Sequence, residues 1–119
     1  MASRSYQGGC HCGAIRFEAT VDLDNSMTCN CSRCQKLGWI LAFASSSSFA
    51  LKSGEDRLTD YRFNKKALHH LFCATCGIES FARGTSPKDG REMIAVNVRC
   101  LDGVEPDTLA PKQVDGRSF

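Results

Sequence analysis

Long apolar runs are the first thing this 119-residue chain lacks. Its most apolar segment, Trp39-Ile40-Leu41-Ala42-Phe43-Ala44, is far shorter than the roughly 20 residues a membrane helix needs, so no membrane partner is expected. Residues 1–9 hold no apolar stretch of the kind a secretory leader uses. An excess of one charge is missing as well. Fifteen basic against thirteen acidic residues leave +2, too little to argue for nucleic acid as a partner. No repeat at solenoid periods is visible, and helical periodicity is scarce. With 42% hydrophobic and 24% charged residues, residues 1–119 read as a single soluble, cytosolic domain with a small core.

Cysteine is what the chain has in plenty. Cys29-Asn30-Cys31-Ser32-Arg33-Cys34 places three thiols within six residues, flanked at a distance by Cys10-His11-Cys12 and Cys73-Ala74-Thr75-Cys76, with Cys100 alone. In a reducing compartment such clusters are better read as metal ligands than as disulfides, and thiolates at these spacings point to zinc. Structural zinc takes four ligands and catalytic zinc three with an open position. The seven clustered cysteines divide accordingly. Cys10, Cys12, Cys73 and Cys76 would close one site, while Cys29, Cys31 and Cys34 would form another. Spacing alone permits pairs to be exchanged between sites, and Cys100 could complete the second set to give two closed zinc sites and no reactive metal. Against that, a lone thiol in the middle of an apolar strand is more often a small buried hydrophobe.

The rest of the chain reads as short strands and turns. Residues 14–20 alternate, with Ile15, Phe17 and Ala19 opposite Arg16, Glu18 and Thr20, as in a half-buried strand. Residues 39–44 read as a buried strand, and 49–52, 58–63, 67–72, 78–82 and 93–101 as further strand segments. Turns are expected at 22–26, 53–56, 64–66 and 85–90, and a serine loop at 45–48. Residues 32–37 suit one helical turn stopped by Gly38, and the tail after Gly103 is expected to pack irregularly. The fold class is therefore all-β.

Other polar residues have more ordinary readings. His11 sits between two ligands and should point outward or support a ligand from behind. His69 and His70 are adjacent on a strand, so only one can face the core. Glu79, Arg83 and Arg99 could line a charged site, although surface positions are the default. Trp39 reads as core or pocket wall, and Asn30 as a turn residue whose amide could reach a thiolate.

The segments Gly9-Cys10-His11-Cys12-Gly13, Cys29-Asn30-Cys31-Ser32-Arg33-Cys34 and Phe72-Cys73-Ala74-Thr75-Cys76-Gly77 resemble those of the glutathione-dependent formaldehyde-activating enzyme family, which shares its domain with centromere protein V. Residues 95–103 and Asp115-Gly116-Arg117 extend the likeness over nearly the whole chain. The resemblance implies a β-tent of packed antiparallel sheets and two zinc ions. Cys10, Cys12, Cys73 and Cys76 match the structural ligands; Cys29, Cys31 and Cys34 match the catalytic ones. It also implies a carbon–sulfur lyase that joins a small thiol such as glutathione to an aldehyde such as formaldehyde. Three thiolates leave Zn²⁺ with a net −1 charge, which favours activating a bound thiol over polarising a carbonyl. A zinc-stabilised binding module without turnover is the alternative.

Overall fold

The computed structural model describes residues 3–62, 68–85 and 89–116. Alternation along the chain builds two sheets. Strand β1 (Arg4–Gly9) pairs with β2 (Arg16–Val21), and β2 with β5 (Phe49–Ser53), all antiparallel. Along β2, Phe17, Ala19 and Val21 are buried, with Ile15 just before it, while Arg16, Glu18 and Thr20 are half-exposed. The period-2 reading of that stretch holds.

The larger sheet has the order β10-β3-β4-β9-β8-β7-β6. Its strands are β3 (Met27–Cys29), β4 (Leu41–Ser45), β6 (Leu58–Tyr61), β7 (His69–Cys73), β8 (Glu79–Thr85), β9 (Glu92–Asn97) and β10 (Lys112–Val114). Its pairings are antiparallel except that β10 lies parallel to β3. The sheets are therefore not uniformly antiparallel.

Inward side chains of both sheets make the main core. Phe17, Phe49 and Phe81 form an aromatic triad with centroids 4.7–6.2 Å apart. Ile94, Val96 and Val98, each fully buried, and Ile40, Ala42 and Ala44 complete it. The opposite face of the same strands carries a second, smaller cluster of Cys34, Trp39, Leu41 and Ala82. Helix α1 (Ser32–Leu37) lies there, and Gly38 ends it in the left-handed region at φ 72°. That single turn follows the sequence expectation.

Other elements differ from expectation. The segment at 39–44 is not buried throughout: β4 alternates, and Phe43 is 48% exposed on the outer face. The expected strand at 93–101 stops at Asn97, whose side chain accepts from the Arg99 N–H at 3.0 Å and starts a 3₁₀ turn over Val98–Cys100. Cys100 thus sits in a turn rather than within a strand. The serines at 46–48 form another 3₁₀ turn, and the tail contributes β10. The expected turn at 64–66, with Phe63, Ala67, the middle of the 85–90 loop and Arg117, lies outside the described residues.

Candidate metal centres

All eight cysteines are free thiols. Seven gather into two groups, and in each group the sulfurs lie within 4.8 Å of one another: Cys10, Cys12, Cys73 and Cys76 in one, Cys29, Cys31 and Cys34 in the other. The folded chain thus brings together the sets that the sequence division anticipated. Cys100 joins neither, its Sγ lying 4.0 Å from the Glu79 carbonyl. Burial pushes its thiol up to about 11, with the neighbouring Ser80 working the other way. No histidine joins either group among the described residues.

The four-cysteine group is made by two tight turns. The Cys10 N–H bonds to the Ile15 carbonyl at 3.2 Å, and Gly13 returns to the Cys10 carbonyl at 3.3 Å. In the second turn, Gly77 N–H meets the Cys73 carbonyl at 2.8 Å and Cys73 N–H meets the Ile78 carbonyl at 3.0 Å. This closure holds Gly77 at φ +81°, a conformation that favours glycine. Backbone N–H groups then point at sulfur, Ile15 to Cys10 at 3.3 Å and Thr75 to Cys73 at 3.4 Å. The N–H groups of Cys12 and Ile78 hold the Cys76 thiol down to about 6. Adjacent sulfurs are 3.6 Å (Cys10–Cys12) and 3.7 Å (Cys12–Cys73) apart. A zinc tetrathiolate with Zn–S near 2.3 Å has edges of about 3.8 Å, so donor type and spacing both fit zinc.

The three-cysteine group comes from β3, the following turn and α1. Cys29 ends β3, Cys31 caps α1 by accepting from the Cys34 N–H at 3.3 Å, and Cys34 lies one turn further along the helix. Burial opposes the Cys31 thiolate, but the N–H groups of Cys34 and Arg33 and contacts with the Cys34 and Cys29 thiols outweigh it, so its pKa lies below the ordinary value. Cys34 is different. Packed against Trp39, Leu41 and Ala82, its thiol is pushed up to about 12 by burial, against a lowering from Trp39. Cys29 and Cys31 are half-buried and pack at the edge of the same cluster. An all-sulfur set of this compactness could also hold a metal ion and is consistent with zinc.

Sequence reasoning missed the segment that covers this group. Val114 pairs with Cys29, the Asn30 N–H bonds to the Val114 carbonyl at 3.2 Å, and the Asn30 amide donates to Asp115 at 3.0 Å. Asn30 thus ties the tail down instead of serving only its own turn. At Gly116 a Cβ atom would stand 2.3 Å from the Cys29 sulfur, so a larger residue there would have to displace that sulfur. The Asp115-Gly116 pair was visible in the sequence; its contact with Cys29 was not.

The remaining candidates are sorted by burial. His11 is exposed. His69 is half-exposed and bonds Asp60 at 2.7 Å, whereas His70 faces inward and bonds Glu79 at 3.0 Å. Glu79 departs most from its default surface reading: it is 1% exposed and also receives the Arg33 guanidinium. Arg83 lies over the Phe49 and Phe81 rings and pairs with Glu92 at 3.7 Å, and Arg99 is exposed. Trp39 is core.

Known proteins share this fold. The family model described as glutathione-dependent formaldehyde-activating enzyme matches residues 5–115. A crystal structure of a Rhodobacter sphaeroides protein from a structural genomics programme superposes with a TM-score of 0.81 at 32% sequence identity, covering 91% of this chain and 99% of that one. With two cysteine groups on a shared all-β fold and a family match across most of its length, the chain belongs to the glutathione-dependent formaldehyde-activating enzyme family.

Proposed function

We propose that this protein is a zinc-dependent carbon–sulfur lyase that forms or cleaves adducts between a small thiol, such as glutathione, and an aldehyde, such as formaldehyde. Cys10, Cys12, Cys73 and Cys76 hold a structural zinc, and Cys29, Cys31 and Cys34 hold a catalytic one. The observation that carries the reading is the three-cysteine group itself: three sulfurs within 4.8 Å, from two half-buried residues and one buried, with Cys100 kept away. Bound there, zinc would lower the pKa of a substrate thiol and keep its sulfur nucleophilic.

The chain's own residues prepare that step. Backbone donors favour the thiolate of Cys31, Cys34 is anchored in the small cluster with Trp39, and the Gly116 backbone lies against Cys29. In the forward direction a C–S bond forms, the carbonyl π-bond breaks, and the thiol proton ends on the former carbonyl oxygen. The reverse reaction returns thiol and aldehyde.

The decisive test is NMR of hydroxymethyl-thiol formation from formaldehyde and glutathione, with other small thiols in parallel, against the spontaneous rate. Acceleration by the zinc-loaded protein and its loss in Cys31→Ser supports the lyase. Two firmly held zinc ions with no acceleration for any thiol would favour a zinc-stabilised binding module.

A further inference from the structure

A buried carboxylate links the two cysteine groups. Glu79 begins β8, three residues after Cys76, and its own carbonyl accepts from the Asn97 amide at 2.9 Å. One carboxylate oxygen receives Arg33 through Nε at 3.2 Å and Nη2 at 2.5 Å, and the other meets His70 Nδ1 at 3.0 Å. Arg33 lies between Cys31 and Cys34 on the turn that carries them, and its guanidinium also stacks over the Tyr61 ring at 4.7 Å.

A carboxylate this deeply buried is costly unless it is paired, and removing one partner leaves the other uncompensated. A planar guanidinium bonded along one edge and stacked on a ring has a fixed direction as well as a charge. The turn bearing Cys31 and Cys34 is therefore held to the β8 strand that leaves the four-cysteine knuckle. We propose that Glu79 is a positioning residue for the three-cysteine group, holding Cys31 and Cys34 in register through Arg33. The inference rests on the reading of Cys29, Cys31 and Cys34 as a metal site, and it assigns Glu79 no contact with substrate.

The test follows metal release from the zinc-loaded protein to a chromophoric chelator, where two groups of unequal grip give two phases. Glu79→Gln keeps the shape and removes the charge. It should speed the phase belonging to the three-cysteine group by about 10–100-fold, the range for losing a partner that supports metal ligands, and leave the other phase unchanged. Arg33→Gln, at the more exposed end of the pair, should do the same if Glu79→Gln folds poorly, and the double variant should exceed neither. Ile94→Val, a core truncation far from the pair in sequence, should move neither phase.

Wild-type release rates in both Glu79→Gln and Arg33→Gln would overturn the inference, as would equal acceleration of both phases. If wild type took up no metal at Cys29, Cys31 and Cys34, the reading of the site would fall. Glu79 would then be judged on alkylation of Cys31 and Cys34 by iodoacetamide, mapped by mass spectrometry. A faster rate in Glu79→Gln keeps the positioning role, and an unchanged rate ends it.

Discussion

The two cysteine groups use the same side chain in opposite settings. In the four-cysteine group, two glycine-closed turns aim backbone N–H groups at sulfur, and the Cys76 thiol is held down to about 6. The group joins β1 and β2 of the small sheet to β7 and β8 of the large one. In the three-cysteine group Cys34 is desolvated against Trp39 while Cys29 and Cys31 are half-buried at the edge of the same cluster, and the chain's tail packs against Cys29. The first arrangement suits a clip that holds distant segments together. The second supplies one sulfur fewer, as the open site proposed above requires. The difference lies in what surrounds the sulfur, because the ligand atom is the same in both.

The largest effect expected from breaking this contrast is at the clip. Structural zinc contributes about 10–16 kcal/mol in small domains, comparable with the whole stability of about 5–15 kcal/mol. On the proposed assignment of a structural zinc to this group, Cys73→Ser should unfold the protein, seen as loss of dispersed NMR signals and of bound metal. On the same assignment, Cys31→Ser should remove one metal ion and the proposed lyase activity while circular dichroism stays near wild type. Unfolding by both changes to the same extent would end the division of labour.

Gly116→Ala tests the tail. Its added Cβ would collide with the Cys29 sulfur, and overpacking of this kind costs about 1–3 kcal/mol. Metal at the three-cysteine group should weaken while the clip keeps its own, a split that metal analysis after mild chelation would read. Gly77→Ala meets no neighbouring atom and is opposed only by its positive φ, for about 1–2 kcal/mol. A thermal melt should show that loss together with easier metal release at the clip.

The smallest effect belongs to the exposed Arg16–Asp102 pair. The Arg16 guanidinium hydrogen-bonds Asp102 and holds its carboxyl below the usual value. A carboxylate depressed in the folded state contributes stability above its unfolded pKa and loses it as pH falls through the folded one. Arg16→Ala should thus lower the melting temperature slightly at neutral pH, with the difference vanishing in acid. Exposed pairs are screened, so 1 M salt should erase it too.

Much of the fold was legible because period-2 alternation reports burial directly, as in β2, and because the Gly38 stop marks the end of α1. Three strands were not. β1 and β3 carry little alternation, and β10 is only three residues long. Each is a strand because a neighbour supplies hydrogen bonds, which no local pattern records. Cys100 was misplaced for a similar reason: the Asn97 side chain, rather than any break in apolar character, ends β9.

The sequence by itself determined the clustering of seven thiols and the turns that present them, since ligand spacing and glycine position act within a few residues. It also carried the family likeness across the chain. Only the tertiary structure decided that Cys100 stands apart, that Glu79 is buried between Arg33 and His70, and that Gly116 lies against Cys29. Those facts join residues 46 and 87 positions apart in the Glu79–Arg33 and Gly116–Cys29 contacts. Burial and contact across such separations are set by how the sheets pack.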